Sequence, residues 1–340
     1  METDRVIQTD CIAWMKDAEP FADLVFADPP FNIGYQYDVY EDKLAYHEYY
    51  DWTFAWMEAA AGILRPTGSL WVAIGAEYAA EIRMIGRQLG LTLRNWVIWH
   101  YTFGQNTKAK FARAHAHLFY FVQDPAAFTF NDMAVRTFSD RQRIYKDRRA
   151  NPDGKLPDDV WSEFPRVCGT FGERQGWHPC QMPISLLSRI LRVCSNPGDV
   201  VADPFAGSGT TLVAAKRLAR RYLGLELSEN YVENIRKRLA DVQPIREQQG
   251  DWPQGHVEEL QSLWMVTAVS LDMLARNDML AEGMARQFGH VLAAAGDDRR
   301  YTPKQVLDKL AELAKRNQLG IIKTHLSQPE MARMAGRLAR

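Results

Sequence analysis

The sequence predicts a doubly wound α/β fold: a mostly parallel sheet covered by helices, interrupted by an irregular insert and followed by a helical C-terminal region. Three observations carry this expectation. Short apolar runs alternate with helix-period segments over 23–123, the same alternation returns over 178–240, and the last 85 residues carry helix signals alone.

Leu24-Val25-Phe26-Ala27 reads as a buried strand and 43–63 as a helix rich in Trp, Tyr, Ala and Met. Gly68 opens a strand at Leu70-Trp71-Val72-Ala73-Ile74, a helix covers about 77–89, and Gly90 stops it. Strand-like runs at 95–99 and 117–122 flank a polar loop that contains Lys108, Lys110 and Arg113. In the second half, Pro183 opens a helix to about 194, 199–203 is a strand, 210–220 an Ala/Leu-rich helix and 222–226 a strand. Ser228 suits the N-cap of the next helix. Strands separated by helices imply a largely parallel sheet buried on both faces. Residues 1–123 plus 178–240 therefore form one domain, 124–177 an insert, and 241–340 a helical domain behind a Pro/Gly-containing linker at about 243–255. Thr302-Pro303-Lys304-Gln305 has a capping-box layout with Pro at the first helical position.

With 46% hydrophobic and 11% aromatic residues, the 340-residue chain can bury a core and is not globally disordered. Its 41 Lys and Arg balance 42 Asp and Glu, so a nucleic-acid surface requires local clustering. Such a cluster lies in the insert. Residues 136–149 hold six basic side chains (136, 141, 143, 146, 148, 149) against two acidic ones (140, 147). A long irregular insert in a compact domain is more often functional than idle. The candidate nucleic-acid contacts are Lys108, Lys110, Arg113, Arg141, Arg143, Lys146, Arg148 and Arg149. Cys11, Cys168, Cys180 and Cys194 form no CxxC pair and no disulfide framework, and no run approaches the ~18 apolar residues of a membrane span. The N-terminus has no signal-peptide pattern. The expectation is a cytoplasmic protein that does not enter membranes.

Two segments carry chemistry. Asp28-Pro29-Pro30-Phe31 follows a buried strand directly, and open α/β sheets bind ligands at the carboxyl ends of their strands. Successive prolines stiffen the turn and lack N–H groups, so a carboxylate, free carbonyls and an aromatic face form a rigid row. That row suits an amino group on a heteroaromatic ring. Asp203-Pro204-Phe205-Ala206-Gly207-Ser208-Gly209-Thr210-Thr211 lies between a strand and a helix, and Glu226 ends the next strand 17 residues after Gly209. An acidic residue there commonly binds ribose hydroxyls, and the two glycines would let a ligand approach the backbone. The third glycine of the dinucleotide fingerprint would fall at Leu212, and no Gly-Lys-Ser/Thr follows, so a nucleoside without phosphates fits better than a dinucleotide or triphosphate.

DPPF at 28–31 and DPFAGSGTT at 203–211, in that order, resemble the catalytic and cofactor motifs of amino-group DNA methyltransferases of the permuted beta class. His178-Pro179-Cys180-Gln181-Met182-Pro183 is similar to that class's HPTQKP element, with Cys180 in place of Thr and Met182 in place of Lys. Residues 151–174 also look like this class, and the resemblance covers about 5–240. It implies a Rossmann-like methyltransferase sheet, S-adenosylmethionine as cofactor and double-stranded DNA as substrate. By resemblance, Asp28 and the carbonyl of Pro29, held by Pro30, accept hydrogen bonds from the target amino group, and Phe31 stacks on the base. Asp203, Pro204, Phe205, Gly207, Gly209, Thr210, His178 and Gln181 shape the cofactor pocket, with Glu226 on the ribose. The two replaced positions, Cys180 and Met182, inherit no role. No metal is implied. A homodimer and a cognate restriction nuclease are partners such enzymes can have.

The leading reading is adenine N6 methylation of a flipped-out base. Cytosine N4 methylation remains open, since those enzymes more often carry Ser before the prolines. From other classes come a nicotinamide-dependent dehydrogenase on a similar sheet, which leaves DPPF unexplained, and a non-catalytic DNA-binding module. His115 and His117 could share a strand face as metal ligands but read as ordinary strand histidines; the aromatic run at 46–56 reads as a packed helix, and Cys11 and Cys194 as core thiols. The C-terminal region is expected to pack on the first domain or on a second subunit, because Leu271, Leu274, Met279, Met284 and Phe288 are too many for isolated helices to bury. Its basic residues, Arg299, Arg300, Lys304, Lys315, Arg316, Arg333 and Arg337 among them, are offset by acidic ones.

Overall fold

The computed structural model describes residues 2–40, 42–102, 107–169 and 172–320. The start of the polar loop before Lys108, at 103–106, and the basic residues Arg333 and Arg337 lie outside the described residues. The chain forms two compact units, Met1–Phe130 with Asp159–Pro244, and Asn131–Asp158 with Ile245–Arg340.

The first unit is built on an eight-stranded sheet. In chain order it contains β1 (Arg5–Gln8), α1 (Cys11–Lys16), β2 (Ala22–Ala27), α2 (Tyr46–Gly62), β3 (Leu64–Ile74), α3 (Ala79–Gln88), β4 (Thr92–His100) and β5 (His115–Val122). After the insert come β6 (Val160–Trp161), α5 (Ile184–Cys194), β7 (Val200–Asp203), α6 (Thr210–Arg217), β8 (Arg221–Glu226) and α7 (Glu229–Ala240). The strands lie in the order β1-β8-β7-β2-β3-β5-β4-β6. The first five are mutually parallel, as expected for strands joined through helices. β5 departs from that expectation, running antiparallel to both β3 and β4. A loop rather than a crossover helix joins β4 to β5, and such a connection returns the chain in the opposite direction.

The core repeats the strand pattern in three dimensions. Val25, Ala27, Val72, Ile74, Phe119 and Phe121 pack from the sheet against Trp56, Met57, Ile82 and Ile85 of the covering helices. Trp56 and Tyr49 are fully buried, so the aromatic run at 46–56 is largely packing. Cys194 is buried and its Sγ accepts a hydrogen bond from Trp71 Nε1 at 3.3 Å. Gly90 adopts φ +77° just after α3, and the Ser228 hydroxyl caps α7 by accepting the Tyr231 N–H.

Boundaries expected from sequence shift in four places. β1 and α1 had no counterpart in the sequence pattern; β1 is a four-residue edge strand that pairs with β8, too short to show a period. α2 starts at Tyr46 rather than 43, because Asp42 and Leu44 bond back to the preceding loop. α6 ends at Arg217, where Ala219 turns left-handed at φ +60°. The insert also divides between the units. Residues 159–177 belong with the sheet: β6 pairs with β4, and buried Arg189 of α5 forms a 2.6 Å ion pair with Glu163 while stacking over Trp161 and Phe164.

The second unit combines Asn131–Asp158, including the short α4 (Asp140–Arg143), with α8 (Gln254–Thr267), α9 (Leu271–Ala275), α10 (Asp278–Ala293) and α11 (Pro303–Lys315). Phe138 packs so closely on α10 that a Cβ at Gly283 would come within 2.7 Å of its ring. Thr137 pairs with Lys155 in an antiparallel bridge and donates its hydroxyl to the Val266 carbonyl at 3.1 Å. Leu274, Met284 and Phe288 are buried, while Leu271 and Met279 are half-buried. The expected linker at 243–255 is partly core. Ile245 is fully buried, and Trp252 stacks on Tyr301 at 4.0 Å. Tyr301 and Asp297 in turn bracket the buried His256 ring at 2.8 and 3.0 Å. The capping box Thr302/Gln305 with Pro303 at the first turn starts α11. Among the described residues no helix is long and apolar enough to cross a membrane.

Candidate active site

The site lies where the sheet order reverses. From β2 the chain moves through α2 to β3 on one side, and from β7 through α6 to β8 on the other, so a crevice opens between the adjacent ends of β2 and β7. A cavity of about 830 Å³ fills it. Asp28 leaves the end of β2 and Asp203 the end of β7, and both line this cavity together with Glu226 from the end of β8.

Asp28 is half-buried and receives no hydrogen bond from any described residue. Burial first, then the neighbouring Asp203 charge, pushes its carboxyl up to about 7. Asp203 is buried and also pushed up to about 7 by desolvation, although Thr211 and the Phe205 N–H, at 3.0 Å, stabilise its charged form. The Pro30 carbonyl accepts a 2.6 Å bond from Tyr49 of α2, which leaves the Pro29 carbonyl as the open acceptor beside Asp28. Phe31 packs against the core and lines the cavity.

The segment after β7 folds as a tight loop at the start of α6. Gly207 and Gly209 both have positive φ, +49° and +73°. Their missing side chains make room for protein atoms: a Cβ at Gly207 would lie 3.0 Å from His178 Nε2, and one at Gly209 would lie 2.8 Å from Ile235. Gly207 lines the cavity, and Gly209, at the N-cap of α6, packs against Ile235 of α7. Pro204, Phe205 and Thr210 line the cavity, with Phe205 wedged edge-on against Trp56. The Glu226 carboxylate accepts the Gly207 N–H at 2.8 Å and the Ser228 N–H at 3.0 Å, one on each oxygen, so it braces the loop while keeping lone pairs toward the cavity.

His178 lines the cavity and is buried against Tyr231 with ring centroids 5.0 Å apart, and burial pushes its imidazole down to about 4. Its Nδ1 is buried, with no hydrogen-bond partner among the described residues. Gln181 also lines the cavity, but its amide is committed: it accepts the Gln175 N–H and donates to the Glu173 carbonyl, both at 2.8 Å. Those two bonds tie it to the turn before α5.

The expected DNA residues separate into two groups. Lys110 and Arg113 line the cavity, and Arg113 is ion-paired to Glu77; Lys108 is exposed nearby in sequence. In the second unit, Arg141 and Arg149 both pair with Asp147, at 2.9 and 3.0 Å, and Arg143 pairs with Asp140. Hydrogen bonds from Arg149, above all, hold the Asp147 carboxyl well below the usual carboxylate range. Lys146 and Arg148 are exposed, with no ion pair to a described residue. The two aspartates of 136–149 thus hold three of its arginines, and the segment keeps the excess of four positive charges read from its sequence.

Sequence reasoning did not find Asp10, Asp38, Tyr35, Tyr37 or Arg166, all of which line the cavity. Asp10 caps α1 after the unrecognised β1, and the others sit in loops with no period to read. His117 is an ordinary strand residue whose Nδ1 accepts the Trp96 indole N–H at 3.0 Å. Among the described residues no group of three or more His, Cys, Asp or Glu is placed to hold a metal.

The family of DNA methylases that modify N6 and N4 amino groups matches residues 22–237, which includes both carboxylate-bearing loops of the cavity. The chain belongs to this family. Methyltransferase M.HpaI of Haemophilus parainfluenzae is 32% identical over 237 residues, spanning 69% of this chain and 74% of the relative. The DNA adenine methyltransferase YhdJ of Escherichia coli K12 is 33% identical over 247 residues, spanning 70% and 83%. Among solved structures, the cytosine-N4-specific PvuII DNA methyltransferase superposes with a TM-score of 0.54 at 18% identity, covering 71% of this chain and 92% of the other. A DNA modification methylase from Thermus thermophilus gives 0.52 at 24% identity, covering 71% and 96%. At such identities the superpositions establish the shared α/β fold. The protein is therefore an amino-group DNA methyltransferase whose substrate is DNA.

Proposed function

We propose that this methyltransferase transfers a methyl group from S-adenosylmethionine to the N6 amino group of an adenine flipped out of double-stranded DNA. The supporting observation is Asp28, a carboxylate without a hydrogen-bond donor among the described residues, standing with the open Pro29 carbonyl in the cavity that Asp203 and Glu226 also line. The cavity fits the cofactor. Its about 830 Å³ lies within the range of ligand pockets, roughly 300–1,000 Å³. Glu226 retains acceptor capacity for ribose hydroxyls, Phe205 offers an aromatic face, and His178 Nδ1 is an unsatisfied buried polar atom that a ligand would relieve.

The bound cofactor supplies an activated methyl group on a sulfonium. The chain's own residues prepare the acceptor. An aniline-like nitrogen is a poor nucleophile because its lone pair is delocalised into the ring. Asp28 and the Pro29 carbonyl, taking one amino hydrogen each, localise that lone pair and aim it toward the cofactor side. Holding both reactants in line can supply ~7–11 kcal/mol of the barrier. The carboxylate also stabilises positive charge as it builds on nitrogen. Phe31 offers its ring to the base.

The adenine assignment rests on Asp28 before the prolines and is supported by the 33% identity to the adenine methyltransferase YhdJ. Cytosine N4 is the competing target, since a cytosine-N4 enzyme shares the fold. Incubating unmodified DNA with the protein and isotopically labelled cofactor, then identifying the modified nucleoside by mass spectrometry, decides it. Label on N6-methyladenosine supports the proposal, and label on N4-methylcytosine overturns it. DNA contacts are assigned to Lys110 and Arg113 at the cavity, to exposed Lys108 nearby in sequence, and to exposed Lys146 and Arg148 in the insert.

A further inference from the structure

The segment between the DPPF turn and α2 has no regular structure, yet it is tied down more densely than most loops. Asp42 is only 2% exposed, and its carboxylate accepts the backbone N–H groups of Asn32 (2.6 Å), Ile33 (3.1 Å) and Tyr35 (2.9 Å). Its own carbonyl accepts the Gly34 N–H at 2.7 Å. Asn32, left-handed at φ +57°, closes the clamp from the other side: its amide bonds both the N–H and the carbonyl of Leu44 and the Tyr78 hydroxyl. One buried carboxylate thus satisfies three backbone donors that follow the catalytic turn immediately. Asparagine is among the few non-glycine residues that adopt this conformation readily, and here its side chain is bonded on both sides.

The far side of the same loop reaches the cofactor wall. Asp38 accepts the hydroxyl of Ser228, whose N–H in turn donates to Glu226 at 3.0 Å. Between these anchors the loop presents Tyr35 and Tyr37 to the cavity.

We propose that Asp42 is a positioning residue of the methyl-transfer reaction: by gathering the backbone of 32–35 it fixes the loop that forms the base-side wall beside Asp28 to Phe31. The inference rests on the methyltransferase reading of the site and adds a residue that touches neither base nor cofactor. Removing the carboxylate releases three backbone donors close together in the chain, so the wall loosens where the extruded base must be held, while the Glu226 side keeps its own hydrogen bonds.

The test compares the parent with Asp42→Ala and Asp42→Asn. Single-turnover methyl transfer at saturating DNA and cofactor should fall at least 30-fold for Asp42→Ala, and less for Asp42→Asn, whose amide oxygen can still accept. Cofactor affinity by calorimetry should stay within threefold. A substrate with the target base mismatched, which is easier to extrude, should not rescue the loss, because the deficit lies in holding the base after extrusion. Single-turnover rates within threefold of the parent in both variants overturn the proposal, as does full rescue by the mismatch. A parallel collapse of cofactor affinity and thermal midpoint in Asp42→Asn assigns Asp42 to general stability and overturns it as well. Absence of methyl transfer by the parent protein on every DNA tested would instead overturn the reading of the site itself.

Discussion

The carboxylates of the cavity and the arginines of 136–149 handle charge in opposite ways. Arg141, Arg143 and Arg149 each lean on an aspartate within a few residues, so part of a run that stays basic overall is paired at the surface. Asp28 and Asp203 instead share a cavity with no ion pair to a described residue, and each is pushed up to about 7. Surface ion pairs are worth little, and a segment can form or lose them at small cost. Two carboxylates held together out of water are costly, and a fold tolerates that cost where a reaction uses it.

The sharpest way to break this contrast is Asp28→Ala. Methyl transfer should fall by at least 10³-fold, about 4 kcal/mol at 1.36 kcal/mol per decade, with cofactor affinity nearly unchanged. Radiolabel incorporation within tenfold of the parent would remove Asp28 from the chemistry. Glu226→Ala should next weaken S-adenosylmethionine binding by about 1.5–3 kcal/mol, the usual worth of a charged hydrogen bond. Because the same carboxylate braces Gly207 and Ser228, calorimetry should show the loss for the cofactor product as well. Unchanged affinity would place the ribose elsewhere.

The cost of the carboxylate pair is itself measurable. Asp28 has a folded pKa raised from the ordinary 3.8 to about 7. The folded state therefore holds a proton that the unfolded state releases, so stability falls as pH rises between those values. Below the unfolded pKa both states are protonated and the penalty vanishes. Asp28→Asn should accordingly stabilise the ligand-free protein at pH 8 and not at pH 3.5. Denaturant midpoints that shift equally at both pH values would show that the carboxylate's charge carries no penalty. For catalysis the sign is reversed: the acceptor role needs the carboxylate, so the single-turnover rate should fall as pH drops below about 7.

The smallest effect tests the basic insert. Lys146→Ala with Arg148→Ala should lower the slope of log affinity against log salt by ~0.9 for each lost phosphate contact, whereas Arg141→Ala with Arg149→Ala should change it less, since both lean on Asp147. Equal changes for the two pairs would mean that the aspartate lets its arginines go on binding DNA.

The sequence by itself determined the α/β class, the order of the sheet's strands and helices other than β1, α1 and β6, and the family. These depend on period, on local turn chemistry and on three ordered motifs, all written within short stretches of chain. It also located the capping box at Thr302 and the N-cap at Ser228, because caps are contacts across three residues. Tertiary structure alone decided the rest. β5 runs antiparallel, and β1 joins the far edge through β8, because pairing partners are chosen by space and not by neighbours in the chain. Residues 131–158 group with α8 to α11 through Phe138 and Thr137, a preference that no composition of the insert discloses. Which charges would be cancelled was equally hidden: Asp147 takes two arginines, while Asp28 meets Asp203, a residue far along the chain, and pairs with no described cation. Coulomb interactions act over a few ångströms of space, and sequence separation says nothing about that distance once the chain has folded.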